Sequence, residues 1–184
     1  MQSIWEFKGK KLRTQKIEVT TYEVDERRVM VEASFRDRRC QKTYSVTGRP
    51  IPVGVVHDMT IRLLIDAASR TIEEVAVKMD AVPFEACRET VDSLAAVKGL
   101  TITRGFTVKV KNLIGHGGCT HLVELLQALA PNVILGLHAR GARTPVALTP
   151  DWTKRKIGNL VNSCHAWKED GALVTELKKK IGLP

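Results

Sequence analysis

The sequence predicts an α+β fold, in which a mainly antiparallel β-sheet occupies the N-terminal two thirds and helices pack on it. Three observations support this: strand-like alternation early in the chain, helical spacing only after Pro83, and a C-terminal part with helix signals. With 184 residues, 43% of them hydrophobic, the chain is large enough for one core. We therefore expect a single domain over 1–184, divided into a hairpin region (1–50), a motif-bearing core (51–130) and a helical extension (131–184).

Four segments read as strands because they alternate apolar and polar residues or are rich in β-branched residues. They are residues 14–23, 29–36, 55–65 and 71–79. The polar run 25–28 separates the first two, which predicts a hairpin. The segment TGRPIPVG, residues 47–54, holds two prolines and two glycines and is predicted to be a loop. Residues 67–70 are predicted to turn between the last two strands.

Helices are predicted after the strands. Pro83 suits a first helical turn, and Gly99 suits the position after a last one. The stretch 100–114 alternates and is predicted to be extended. A helix beginning at Thr120 carries leucines at helical spacing and is predicted to be interrupted at Pro131, with residues 132–140 continuing as a short helix. Two later helices are predicted to begin at caps: Thr149 for one, and Asp170 for a last helix that runs to Lys180 and is followed by Gly182 and Pro184.

Composition and charge limit the cellular location and the kinds of partner that we expect for this protein. The N-terminus lacks the apolar region of a secretory signal, and no apolar run is long enough for a membrane span, so we expect a cytoplasmic protein that does not bind a membrane. Its four cysteines form no CxxC pair and are expected to be reduced. The net charge of +9 permits an acidic ligand, RNA or a protein partner. Aromatic residues make up 5% and do not interleave with the basic runs, so nucleic-acid binding is not favoured, though the charge does not exclude it.

The stretch GHGGCTHL, residues 115–122, is the most distinctive part of the chain. Gly117 and Gly118 permit a sharp turn or a close approach to a bound group, so we predict that they help to bind a cofactor. Cys119 falls at or just before a predicted helix, where the helix dipole stabilises a thiolate. His121 is close enough to act as acid, base or metal ligand, and His116 precedes the glycines. The alternative is a glycine loop with a buried structural cysteine.

Three other places contribute residues of the same kinds. His57 and Asp58 lie near the start of a predicted strand, where adjacent side chains point to opposite faces, so only one can face a site. Cys87 lies on the apolar face of its predicted helix, and Cys164 and His165 form another pair. Each has an ordinary structural alternative as a packed or locally hydrogen-bonded residue, and Cys40, among charges, is predicted to be a surface thiol without a role.

These motifs resemble a family of uncharacterised bacterial proteins. The similarity rests on VVHDMTIRLLID, PFEAC, GCTHLVELL and NSCHAW and spans nearly the whole chain, with GCTHL the most specific part. It implies a single-domain, soluble protein and brings no activity. A fainter resemblance, to iron–sulfur scaffolds of the IscU/NifU type, rests on the order of Asp58, Cys87 and Cys119 and on TIEEV. There, Val56 stands where the scaffold has its first cysteine, and the segment after Leu129 has no counterpart.

Three functions are compatible with these residues. The first is metal binding, with zinc or an iron–sulfur cluster held by ligands drawn from His57, Asp58, Cys87, Cys119 and His121. The second is a thiol enzyme in which Cys119 attacks an electrophile, His57 or His121 is the base and Asp58 orients the base. The third is a basic module that binds an acidic ligand, RNA or a protein partner, with the cysteines and histidines in the core.

Overall fold

A computed structural model describes residues 3–143, 158 and 160–182. The chain forms two compact units, Met1–Gly141 and Ala142–Pro184. The predicted boundary between residues 130 and 131 falls inside a continuous helix. The first unit confirms the α+β prediction, since its main sheet is antiparallel and, apart from a short 3-10 helix at Ile4–Glu6, its helices follow the strands.

The main sheet has four strands in the order β1-β2-β5-β6, all antiparallel. Its strands are β1 (Arg13–Glu23), β2 (Arg28–Arg39), β5 (Gly54–Asp66) and β6 (Ile72–Ala81). All four predicted strands are present, each within a few residues of its predicted bounds. Part of the predicted loop at 47–54 instead pairs in a small second sheet, made of β3 (Thr43–Tyr44) and β4 (Pro50–Ile51).

One face of the main sheet is apolar, as the alternation predicts. Alternate residues of β2 and β5 are almost fully buried on this face: Val29, Val31, Ala33, Phe35, Met59, Ile61, Leu63 and Ile65. The helices that follow cover it. Helix α2 (Thr120–Gly141) packs on β1 and β2, with Leu122, Leu125, Leu126 and Leu129 buried. The other face of the sheet carries the polar residues of the same strands.

Two helical predictions were wrong in detail. Residues 100–114 were predicted to be extended, but α1 spans Phe106–Ile114. The apolar residues there satisfy both periods, and burial of Phe106, Val110 and Ile114, four residues apart, favours the helix. The predicted helix after Pro83 is a 3-10 helix that begins later, at Glu85, and ends at Val97.

Helix α2 continues through Pro131, where a break was predicted. Proline removes one backbone donor from the helix interior. In the same turn, the Asn132 side chain donates to the Ala128 carbonyl at 2.9 Å, and Thr21 of β1 donates to the Asn132 carbonyl at 3.3 Å. Tertiary packing therefore supports the helix at this point. By length and composition α2 would also suit a membrane span, a test that the core helices of soluble proteins pass as well.

The second unit contains a short 3-10 helix (His165–Trp167) and α3 (Ala172–Lys180), with Val174 buried. The last helix was predicted, but its N-cap is Gly171 and the predicted cap, Asp170, forms an ion pair with Lys168 at 2.9 Å. The predicted cap at Thr149 lies outside the described residues.

Candidate functional site

Asp37 and His57 form a cross-strand pair on the buried face of the sheet. They are register partners in β2 and β5, next to a β-bulge that follows Asp37. The Asp37 side chain is 1% exposed and that of His57 is 12% exposed. Among the described residues, Asp37 is the one polar or charged residue that is buried. Burying a carboxylate without partners costs free energy, so Asp37 is expected to be paired with donors on this otherwise apolar face.

Asp37 is bound by two side chains. Arg13 of β1 donates from Nε to Oδ1 at 2.6 Å and from Nη2 to Oδ2 at 2.9 Å, and His57 Nδ1 lies 3.0 Å from Oδ2. Burial alone would raise the pKa of Asp37, but the hydrogen bonds from Arg13 and His57 outweigh it and lower that pKa. The group is therefore a carboxylate, which only accepts hydrogen bonds. Nδ1 of His57 must therefore donate, and the ring is oriented by this hydrogen bond.

His121, in the first turn of α2, brings a second imidazole to this pair. Its ring centroid lies 4.2 Å from that of His57 and 4.8 Å from that of Phe35. Burial lowers the pKa of His121, and the neighbouring His57 lowers it further. The negative charges of Glu124 and Asp37 act in the opposite direction without reversing the shift. His121 is consequently neutral near pH 7 and able to accept a proton.

Cys119 completes the group at the beginning of α2. Its Sγ lies 3.9 Å from His121 Nδ1. Its carbonyl accepts the first helical hydrogen bond, from the Val123 N–H at 3.1 Å, which confirms that Cys119 stands at the helix N-terminus. The thiol is partly buried against the core. We call these five residues the His–Cys cluster: Arg13, Asp37, His57, Cys119 and His121.

The glycines before Cys119 have structural reasons to be glycine. Gly115 ends α1 with φ of +40°. A Cβ on Gly118 would lie 2.1 Å from Ile114 Cγ2 and 3.3 Å from Ser93 Oγ, so a side chain does not fit there. Gly117 has open space around it. Close packing thus accounts for Gly118, and the prediction that Gly117 and Gly118 bind a cofactor stays a prediction. The His116 side chain lies outside what the structure describes.

Two predicted metal ligands are not brought into the cluster. Asp58 follows His57 on the strand and therefore faces the opposite side of the sheet, where it pairs with Arg36 at 3.0 Å. Its predicted role as orienting group was wrong, because Asp37 makes that contact. Cys87 lies near the start of the 3-10 helix, and no hydrogen bond within the described residues joins its thiol to the two imidazoles.

The described residues contain no group of three or more His, Cys, Asp or Glu side chains placed to hold a metal ion. His57, Cys119 and His121 do come together: Cys119 contacts His121 at 3.9 Å, and the His57 and His121 rings lie close at a tilted angle of 48°. Cys164 is exposed in the second unit. Cys40 is partly buried, with its Sγ 3.9 Å from Thr14 Oγ1, and so is less open than the predicted surface thiol.

Sequence reasoning missed Asp37, Arg13 and Phe35, although one signal was available. In the run VMVEASFRD the apolar residues recur at every second position from Val29 to Phe35, and Asp37 is next on the same face. A carboxylate at an apolar position of a buried strand needs a cation or a donor nearby. The hairpin register supplies one, because Arg13 lies on the neighbouring strand.

Residues 13–135 match a family described as a protein of unknown function (DUF2889). The matched segment begins at Arg13 and extends beyond His121, so it contains the whole His–Cys cluster. No curated protein and no solved structure matches the chain. These comparisons show no similarity to the iron–sulfur scaffolds.

Proposed function

The chain belongs to the DUF2889 family, and from the geometry of the His–Cys cluster we propose that it is a cytoplasmic acyl-transfer enzyme with Cys119 as nucleophile. One observation carries the proposal. The side chains form a row of contacts from a thiol through two imidazoles to a buried carboxylate. Cys119 Sγ lies 3.9 Å from His121 Nδ1, the His121 and His57 ring centroids are 4.2 Å apart, and His57 Nδ1 lies 3.0 Å from Asp37 Oδ2.

The proposed reaction begins with proton transfer from the Cys119 thiol to Nδ1 of neutral His121. The sulfur then attacks the acyl carbon, so that a carbon–sulfur bond forms and the bond to the leaving group breaks. The His121 imidazolium returns its proton to the leaving group. Water or another nucleophile releases the acyl group from Cys119, again with His121 as base.

Other groups stabilise the charges that develop. The first backbone N–H groups of an α-helix lack helical acceptors, and those of α2 follow directly after Cys119. They are suited to donate to the oxyanion of the tetrahedral intermediate. Asp37 orients the His57 ring through Nδ1. The negative charges of Asp37 and Glu124 favour the imidazolium form of His121. The positive charge of Arg13 partly offsets the negative charge of Asp37, and so limits how strongly Asp37 favours the imidazolium form of His121.

The proposal is tested by measuring how fast each of the four cysteines reacts with iodoacetamide, using peptide mass mapping. Cys119 should react faster than Cys164, even though Cys119 is partly buried and Cys164 is exposed. His121→Gln should slow Cys119 by about 10-fold or more, because general-base assistance is lost, and leave Cys164 unchanged. Equal rates for the two cysteines in the wild-type protein, unaffected by His121→Gln, would contradict the proposal.

Metal binding is the second candidate, and zinc or an iron–sulfur cluster would be its cofactor. The observation that favours it is that His57, Cys119 and His121 offer imidazole and thiolate donors within one cluster. The test is the metal content of protein purified with and without oxygen, beside Cys119→Ser. Near-stoichiometric metal that is lost in Cys119→Ser would favour this candidate, while equally folded metal-free protein in both preparations would reject it.

A further inference from the structure

The outer face of the main sheet, away from the helices, contains a basic groove near the start of β1 and the end of β2. Its volume is about 490 Å³. We call it the outer groove, and its lining residues are Lys11, Thr14, Lys16, Arg36, Arg38, Cys40 and Val53. The His–Cys cluster lies on the other face, because Asp37 alternates with Arg36 and Arg38 along β2. The groove is therefore a separate place on the protein.

Positive charge in the outer groove is largely uncompensated. Arg36 pairs with Asp58, at 3.0 Å. Lys11, Lys16 and Arg38 have no ion pair within the described part of the chain. Strand pairing places Lys16 directly opposite Arg36, and like charges at such positions destabilise a sheet. An anion bound between these side chains would remove that repulsion.

The surrounding contacts hold the groove in shape without neutralising it. The Cys40 N–H donates to the Leu12 carbonyl at 2.9 Å, and Gln41 Nε2 donates to the Lys11 carbonyl at 3.1 Å. These bonds tie the segment before β1 to the residues that follow β2, and Lys11 and Arg38 both line the groove there. Thr14, the register partner of Arg38, adds a hydroxyl that is able to donate to an oxygen of the anion.

We propose that the outer groove binds a small organic phosphate through Arg38, Lys16 and Lys11. Its volume lies in the usual range for small-molecule sites, about 300–1,000 Å³. A guanidinium beside ammonium groups suits the oxygens of a phosphate or diphosphate. Single-stranded nucleic acid needs an extended basic track with aromatic residues on which bases stack, and the lining of this groove contains no aromatic residue.

The first test is calorimetric titration of the whole protein with inorganic pyrophosphate. We expect saturable binding, weakened about 10-fold or more by Arg38→Gln, since the charge-assisted hydrogen bonds from the guanidinium are lost. Arg62→Gln is the matched control, because this substitution removes the same charge. Arg62 lies on the same sheet face, outside the groove, and pairs with Glu32. Equal weakening by both variants would overturn the proposal, and so would the absence of saturable binding at millimolar pyrophosphate.

A second measurement uses the unmodified chain, so it does not depend on the folding of a variant. Bound pyrophosphate should slow alkylation of Cys40, which lines the groove, and leave exposed Cys164 unaffected. Chloride at the same ionic strength should not protect Cys40. Protection of both cysteines, or of neither, would contradict the proposal. A single-stranded oligonucleotide that displaces pyrophosphate at far lower concentration would show a nucleic-acid site instead.

Discussion

Replacing Asp37 with asparagine removes the charge at the centre of the His–Cys cluster and nearly preserves the shape of the side chain. The hydrogen bond with His57 is almost fully buried, and such a charge-assisted bond contributes about 1.5–3 kcal/mol. The Arg13 side chain is 48% exposed, so its ion pair with Asp37 is closer to a surface pair, which contributes about 0.2–1 kcal/mol. We therefore expect Asp37→Asn to lower the free energy of unfolding by about 2–4 kcal/mol.

The assay is urea unfolding at pH 7, followed by circular dichroism. Asp58→Asn is the matched control, because Asp58 also pairs with an arginine but on the outer face, where Arg36 is 63% exposed. Its expected cost is below about 1 kcal/mol. If the two variants lose the same stability, the argument that burial and partners distinguish Asp37 is wrong.

The lowered pKa of Asp37 adds a pH dependence with a definite sign. Because the folded-state pKa lies below the ordinary value of 3.8, the unfolded chain takes up a proton first as the solution is acidified. The contribution of Asp37 is complete above that ordinary pKa and is lost as pH falls through the lowered one. The stability difference between wild type and Asp37→Asn should therefore shrink on acidification, and a difference that grows would refute the assignment.

Three further predictions concern the same unit. The lowered pKa of His121 means that its contribution to stability is complete above pH 6.5 and is lost as pH falls through the folded-state pKa. The free energy of unfolding, measured in urea at several pH values between 5 and 7, should therefore vary less with pH for His121→Gln than for wild type. Gly118→Ala should cost about 1–3 kcal/mol in urea unfolding through overpacking, whereas Gly117→Ala, with open space, should be close to neutral. Leu126→Ala should cost about 2–5 kcal/mol, while Leu113→Ala at a site 52% exposed should cost far less by the same measurement.

The strands were predictable because their period-2 pattern reflects burial of one sheet face. The same logic failed at residues 100–114. There Phe106, Val108 and Val110 alternate, while Phe106, Val110 and Ile114 have the spacing of one helix face. Packing decides between the two, since Val108 is exposed and Ile114 is buried. Helix α2 shows a related limit, because a proline that breaks an isolated helix is accommodated when neighbouring contacts support that turn.

The candidate site was predictable in part for a similar reason. Cys119 and His121 are local in sequence, so the glycine loop and helix start identified them. Strand alternation predicted that His57 and Asp58 face opposite sides of the sheet. It did not predict which of the two would contact the other site residues, because that depends on strand register. Asp37 and Arg13 become neighbours of His57 only through pairing of β1, β2 and β5. Such contacts between distant segments are not encoded in any short motif.

The measurement that tests the central claim most directly is reaction of the protein with p-nitrophenyl acetate, followed by nitrophenol release and peptide mass mapping. We predict a burst of nitrophenol equal to the enzyme concentration, acetyl on Cys119, and no burst for Cys119→Ser or His121→Gln variants that remain folded. Release without a burst, or acetyl spread over Cys40, Cys87 and Cys164 at rates equal to Cys119, would contradict the assignment of Cys119 as a nucleophile served by His121.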